Sequence, residues 1–238
     1  MKQKRFFSTE LAYVLGIVAL ALGTAMMERA DFGMSMVVAP AYLLHLKISQ
    51  IYPFFTFGTA EYTLQAVLLI AMCLVLRRFR VSYLFSFVTA VVYGFTLDGC
   101  IALVALVPGS GMAFRLLHYV LGMIVCAAGV SLLFHTYIAP EVYELFVKEA
   151  SAKFGVEIHK FKTGYDCVSC AVGVILSFAF FGFGHFEGVK LGTIFCALVN
   201  GTLIGWCSRF YESHFEFRDK LALRKYFTSE TSSDAADR

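Results

Sequence analysis

Charge is what this sequence has least of, and that scarcity excludes an ordinary soluble domain. Asp, Glu, Lys and Arg make up 16% of the 238 residues, against about 25% in soluble proteins. Apolar residues make up 59%, with 25 Phe among them. A soluble chain of this size could not hide so much apolar side chain and keep a wettable surface. Further absences narrow the reading. No small-residue cleavage site follows the first apolar block, so Lys2, Lys4 and Arg5 precede a retained helix and not a removed signal peptide. There is no nucleophile–base pairing, phosphate loop or nucleic-acid module, so neither an enzyme nor a nucleic-acid binder is expected, and no cofactor or metal. The seven cysteines lie mostly inside apolar blocks, where they behave as small hydrophobes and not as a disulfide framework.

What the sequence does have is six apolar blocks near the roughly 20 residues that cross a bilayer core. They cover about 11–27, 58–76, 81–107, 116–134, 164–183 and 189–207. Two semi-apolar stretches, 33–57 and 137–163, separate the first block from the second and the fourth from the fifth. With the N-terminus cytoplasmic, 16 of the 20 Lys and Arg fall on inner segments and four, Arg29, Lys47, Arg115 and Lys190, on outer ones. That asymmetry orients the chain with both ends in the cytoplasm.

The sequence also repeats itself. YVLGIVALALG (13–23) lies over YVLGMIVCAAG (119–129), with six of eleven positions identical at an offset of 106. VVYGFTLDGC (91–100) lies over LVNGTLIGWC (198–207) at 107, and Gly58 over Gly164 at 106. Three spans per repeat is an odd number, so the second repeat must be inserted upside down, a construction common among secondary transporters. The expected fold is therefore an all-α membrane protein of six spans in two inverted three-helix repeats. Each repeat adds an amphipathic or re-entrant helix after its first span, at 34–46 and 140–154. The units run 1–10 (cytoplasmic segment), 11–107 (first repeat), 108–116 (outer linker), 117–211 (second repeat) and 212–238 (cytoplasmic tail). In the tail, 214–226 reads as a short helix on the inner surface, and the last dozen residues as disordered.

At the motif level the chain resembles the YczE/YitT group of bacterial integral membrane proteins. The resemblance rests on GTAMMERADFGMS (23–35), FTFGTAEYTLQ (55–65), GYDCVSC (164–170) and KLGTIFCALVNGTLIG (190–205). Arg29, Ala30, Gly33 and Ser35 stand in the matching places of the first motif, while Phe32 and Met36 depart from it. The resemblance implies a bacterial plasma membrane protein of duplicated six-helix architecture and names no substrate.

Ionisable groups within a bilayer are costly and mark candidate sites. Glu28, Arg29 and Asp31 cluster at the outer end of the first span, either as a mutually neutralised cap or as an outer gate. Arg29 is the group that would take an anionic solute. Glu61 and Asp166 open the second and fifth spans at matching repeat positions, as helix N-terminal acids or as a proton or cation relay. Asp98 lies about three-quarters across the third span, either reaching interfacial water or acting as a buried coupling acid. Asn200 and Thr202 flank Gly201 and can hydrogen-bond a solute or a neighbouring helix. His118 and His135 bracket the fourth span. His185 and Glu187 would bind metal only with further ligands, and Cys167 and Cys170 read as packing. Two functions remain: a small-solute transporter with its site between the repeats, with oligomerisation open, or a binding or assembly subunit that does not transport alone.

Overall fold

A computed structural model describes residues 5–80, 82–156, 158–184 and 186–220. Lys2, Lys4, His185 and the last dozen residues lie outside that set. In chain order the elements are β1 (Arg5–Ser8), α1 (Thr9–Ala30), α2 (Ala39–Ile48), α3 (Phe57–Leu76), α4 (Ser82–Ala105), α5 (Met112–Phe134), α6 (Val142–Phe154), α7 (Ile158–Phe181), α8 (Leu191–His214) and β2 (Phe215–Arg218). Six helices are long and apolar enough to span a membrane: α1, α3, α4, α5, α7 from Gly164, and α8. The protein is thus a polytopic helical membrane protein. The order long, short, long, long occurs twice.

Helix ends fall where local chemistry puts them. Asp31, in the left-handed region at φ 55°, ends α1 three residues later than the hydrophobic pattern predicts, so Glu28 and Arg29 sit inside its last turn. Thr56 accepts from the Thr59 amide and starts α3. The fifth span begins within a longer helix that starts at Ile158, and the sixth continues to His214 instead of stopping near residue 207.

The tail departs from expectation. Residues 215–218 form a strand, not part of an inner-surface helix, and they pair in parallel with β1, Arg5 opposite Phe215 and Ser8 opposite Arg218. Residues 221–226 lie outside the described set. The cause is aromatic alternation: Phe7 packs edge-on against Phe215 and Phe217, at 5.3 and 5.6 Å. Thr9 then donates to Asp219 (3.0 Å) and the Lys220 amide to Glu10 (3.1 Å). Both described ends therefore lie at one end of the bundle, here called the base. The opposite end is the crown.

The centre of the bundle is the α1–α5 pair, which is antiparallel and held close by glycine. A methyl built at Gly23 would stand 2.6 Å from the Cys126 amide nitrogen, and one at Gly129 would stand 2.6 Å from that of Leu20. Gly16 faces the Gly129 carbonyl, and Gly122 that of Gly23. With lipid on both sides there is little hydrophobic drive, so close backbone approach supplies dispersion instead. Around this pair, α4 packs on α1 and α8 on α5. In the first half α3 locks onto α4 through Gly58, whose added methyl would lie 2.0 Å from the Gly94 carbonyl. In the second half, α7 and α8 make no comparable contact among the described residues, and none of these stands near a methyl built at Gly164 or Gly201.

The short helices lie against spans of the other half. The Val142 amide, at the start of α6, donates to Gln65 midway along α3 (3.0 Å), and Lys153 at its end reaches the Val75 carbonyl near the end of α3. Ala39, at the start of α2, faces Gly173 midway along α7, and Lys47 donates to the Phe180 carbonyl at its end (3.2 Å).

Replacing Gly23 with Val should overpack the α1–α5 contact and cost about 1–3 kcal/mol. Gly201→Ala meets open space and should be neutral or slightly stabilising. Thermal midpoints of the purified variants in detergent check both; equal effects would contradict the packing described.

Candidate functional site

Within this frame a cavity of ≈ 150 Å³ lies between the two halves. Leu20, Thr24 and Met27 of α1 line it, with Cys126 and Val130 of α5 opposite. Ser35, Val37 and Val38 close it from the segment entering α2, and Glu141, Tyr143 and Glu144 from the start of α6. Tyr93 of α4, Lys162 of α7 and Asn200 of α8 complete its polar lining. Half of the lining residues are aliphatic or sulfur-bearing, so the polar groups carry its chemistry.

Glu141 and Tyr143 among them belong to a buried network that ties α3 to α6. Gln65 and Glu61 are fully buried. Gln65 donates through Nε2 to Glu141 Oε2 (3.1 Å), and its Oε1 receives the Val142 amide. Tyr143 donates to Glu61 Oε2 at 2.9 Å. Tyr93 donates to Thr24 at 3.1 Å. Among the described residues five buried side-chain oxygens lack partners, the Ser86 and Ser131 hydroxyls and, at or beside the cavity, Glu61 Oε1, Glu141 Oε1 and Asn200 Oδ1. Burial, then the neighbouring Glu144 and Glu61 charges, push the Glu141 carboxyl well above the ordinary carboxylate value. Burial likewise raises Glu144, opposed by Lys162.

The sequence-derived candidates divide. Asn200 lines the cavity, and Glu61 adjoins it through Tyr143. Arg29 does not: its guanidinium donates to the carbonyls of Val104 and, at 2.5 Å, Val107, at the end of α4. Asp98 is half-buried and engaged at the start of α3, accepting from Thr56 Oγ1 (2.6 Å) and the Gly58 amide (2.8 Å). Asp166 pairs with Lys162 at 2.7 Å, and Thr202 is exposed on α8. The Glu28–Arg29–Asp31 group does not neutralise itself, since Asp31 pairs with Arg115 (3.1 Å) and Lys190 (2.5 Å). His118 and His135 sit near the two ends of α5 on the carbonyls of Phe114 and Ser131. Among the described residues no three His, Cys, Asp or Glu side chains converge as metal ligands.

Glu141 corrects the amphipathic reading of α6. The sequence pattern sets it on the polar face, but it is 5% exposed, because the start of α6 is drawn against Gln65. With Glu144, Gln65, Tyr93 and Lys162 it is a site residue that charge counting alone passes over. The available signal was a Glu directly after Pro140, opposite an uncharged Gln within an apolar span.

A family match covers residues 7–209, and the family is one of unknown function, DUF6198. The chain belongs to that family. No curated protein and no solved structure matches it. Function in this DUF6198 member therefore has to be read from the site itself.

Because the folded protein holds a proton on Glu141 that the unfolded chain releases near 4.5, stability should fall as pH rises from that value through the raised one. Thermal unfolding followed upward in pH from the ordinary carboxylate value should show this decline, and Glu141→Gln should flatten it. Gln65→Leu leaves the Val142 amide and Glu141 unpartnered and should cost about 1–3 kcal/mol; a parent-like melt would contradict the network.

Proposed function

We propose that this protein is a small-solute carrier whose site is the cavity between two inverted repeats. The observation that carries the reading is the pairing of residues around the cavity. Leu20 with Cys126, Thr24 with Val130, Ser35 with Glu141, Val37 with Tyr143 and Val38 with Glu144 are each 106 apart, and Tyr93 with Asn200 is 107 apart. A cavity lined by repeat mates is one lying on the axis that relates them. The α1–α5 contact supports the same axis. Gly23 against Cys126 and Gly129 against Leu20 form one contact written twice at an offset of 106, as an isologous two-fold interface requires. Kinship with YczE/YitT-type proteins belongs to the same proposal, as does a cytoplasmic base.

In this reading α2 and α6 are half-helices entering from crown and base, with their N-terminal ends at the cavity near mid-depth. Such interrupted elements are how many secondary transporters build a binding site, and irregular backbone at that depth is tolerated where it is enclosed by protein. The two halves also differ in a way that suits alternating access. Gly58 and Gly94 are locked together, whereas their counterparts Gly164 and Gly201 stand open. Exchanging the open and closed halves would carry the cavity from one face to the other. The buried acids Glu61 and Glu141 are the coupling candidates, taking the role expected of Asp98 and Asp166, which are engaged elsewhere.

The test is access. With the seven native cysteines replaced and Asn200→Cys introduced, a membrane-impermeant thiol reagent applied to oriented vesicles should modify position 200 from each face in turn. Modification from one face only would remove the carrier reading and leave a solute-binding subunit.

A further inference from the structure

The cavity carries a second, sharper message in the balance of its donors and acceptors. Its phenolic donors are already engaged, Tyr93 with Thr24 and Tyr143 with Glu61. Its one ammonium, Lys162, is paired with Asp166 at 2.7 Å. Ser35 and Asn200 bring further hydroxyl and amide donors to the lining, but its buried side-chain atoms that lack a partner are both oxygens. Glu141 Oε1 and Asn200 Oδ1 are buried, unpartnered and on residues that line the same space. Buried polar atoms in folded proteins almost always find partners, so each exception asks for an explanation.

A ligand that brings N–H donors supplies that explanation, and one that brings only acceptors does not. Glu141 and Glu144 also place two carboxyl groups on the wall, beside a Lys162 already paired with Asp166; an ammonium that displaces the Glu141 proton leaves a paired charge there, which an anion cannot do. Apart from Thr24 and Ser35, the remainder of the lining, including Met27, Met34, Val38 and Val130, is apolar and suits a short hydrocarbon portion. A cavity of ≈ 150 Å³ matches one that holds a benzene-sized molecule, on the order of six non-hydrogen atoms.

We propose that the cavity binds a small amphiphilic amine in its ammonium form, held by Glu141 Oε1 and Asn200 Oδ1 with its alkyl portion against the aliphatic wall. This names a substrate class for the carrier reading and replaces the anionic solute expected at Arg29. Where the solute is the coupled partner of a proton, ammonium and proton compete for one carboxylate, so entry of one requires departure of the other.

The experiment compares three probes of equal size and different charge, n-butylammonium, n-butanol and butyrate, on the purified full-length protein in detergent. Calorimetric titration should show saturable binding of n-butylammonium only. Glu141→Gln should weaken it at least tenfold, and Asn200→Leu severalfold, in variants that remain monodisperse and melt cooperatively. If Glu141→Gln does not fold, Asn200→Leu and competition by methylammonium carry the test. Butyrate binding as well as the amine, no amine binding by the parent, or a folded Glu141→Gln protein with parent-like affinity would each overturn the proposal. Failure here is separable from failure of the carrier reading. Two-face labelling of position 200 without amine binding condemns the substrate class alone, and amine binding with one-face labelling condemns the carrier alone.

Discussion

The cost of holding carboxyl groups away from water is the constraint on which the rest of this structure turns. Glu61 and Glu141 are both buried in a bundle whose outer surface is hydrocarbon, where an unpaired charge is expensive. The protein meets that cost by drawing the start of α6 against the middle of α3, so that Gln65 and Tyr143 satisfy one oxygen of each acid. The start of α6 is thereby buried against α3, and this placement helps form the cavity wall. The second oxygen of each acid stays unsatisfied, which is a destabilising feature that packing alone gives no reason to keep.

The remaining architecture serves to hold that arrangement open at its centre. Glycines bring α1 and α5 into backbone contact along one stretch, while Leu20, Thr24, Cys126 and Val130 on the same two helices border the cavity. Tight helix contact and an open cavity thus alternate along one interface. The contrast between the locked α3–α4 pair and the separated α7–α8 pair places the loosest packing beside the cavity, where small changes in helix position are least costly.

Much of the fold was legible in the sequence because hydrophobic blocks and glycine positions record helix number and close contacts directly. Glycines inside apolar spans are candidates for close helix contact: Gly16, Gly23, Gly94, Gly122, Gly129 and Gly173 make such contacts, whereas Gly164, Gly201 and Gly205 face open space. The β1–β2 pairing was not legible, because RFFS and FEFR are four-residue strands from opposite ends of the chain and carry no local signal of each other. The site was half legible. Asn200 and Glu61 stood out as polar groups within apolar runs. Arg29 and Asp98 stood out for the same reason, yet they bind backbone at the ends of α4 and the start of α3. Sequence reveals that a charge lies in a span, but not which carbonyl or amide waits beside it. Glu141 was hidden for the converse reason, since a Glu in an amphipathic helix looks solvated until its partner on another helix is known.

The central claim is that burial between α3 and α6 lifts the Glu141 carboxyl well above the ordinary carboxylate value, so that it keeps its proton where a solvated Glu has lost its own. Infrared difference spectroscopy of the protein in lipid, parent minus Glu141→Gln, reads that proton directly. A protonated-carboxyl C=O band that persists above the ordinary carboxylate value, present in the parent and lost in the variant, is the result this account predicts. A parent with no such band, or a band unchanged in Glu141→Gln, would show the carboxyl to be ionised and solvated and would contradict the account.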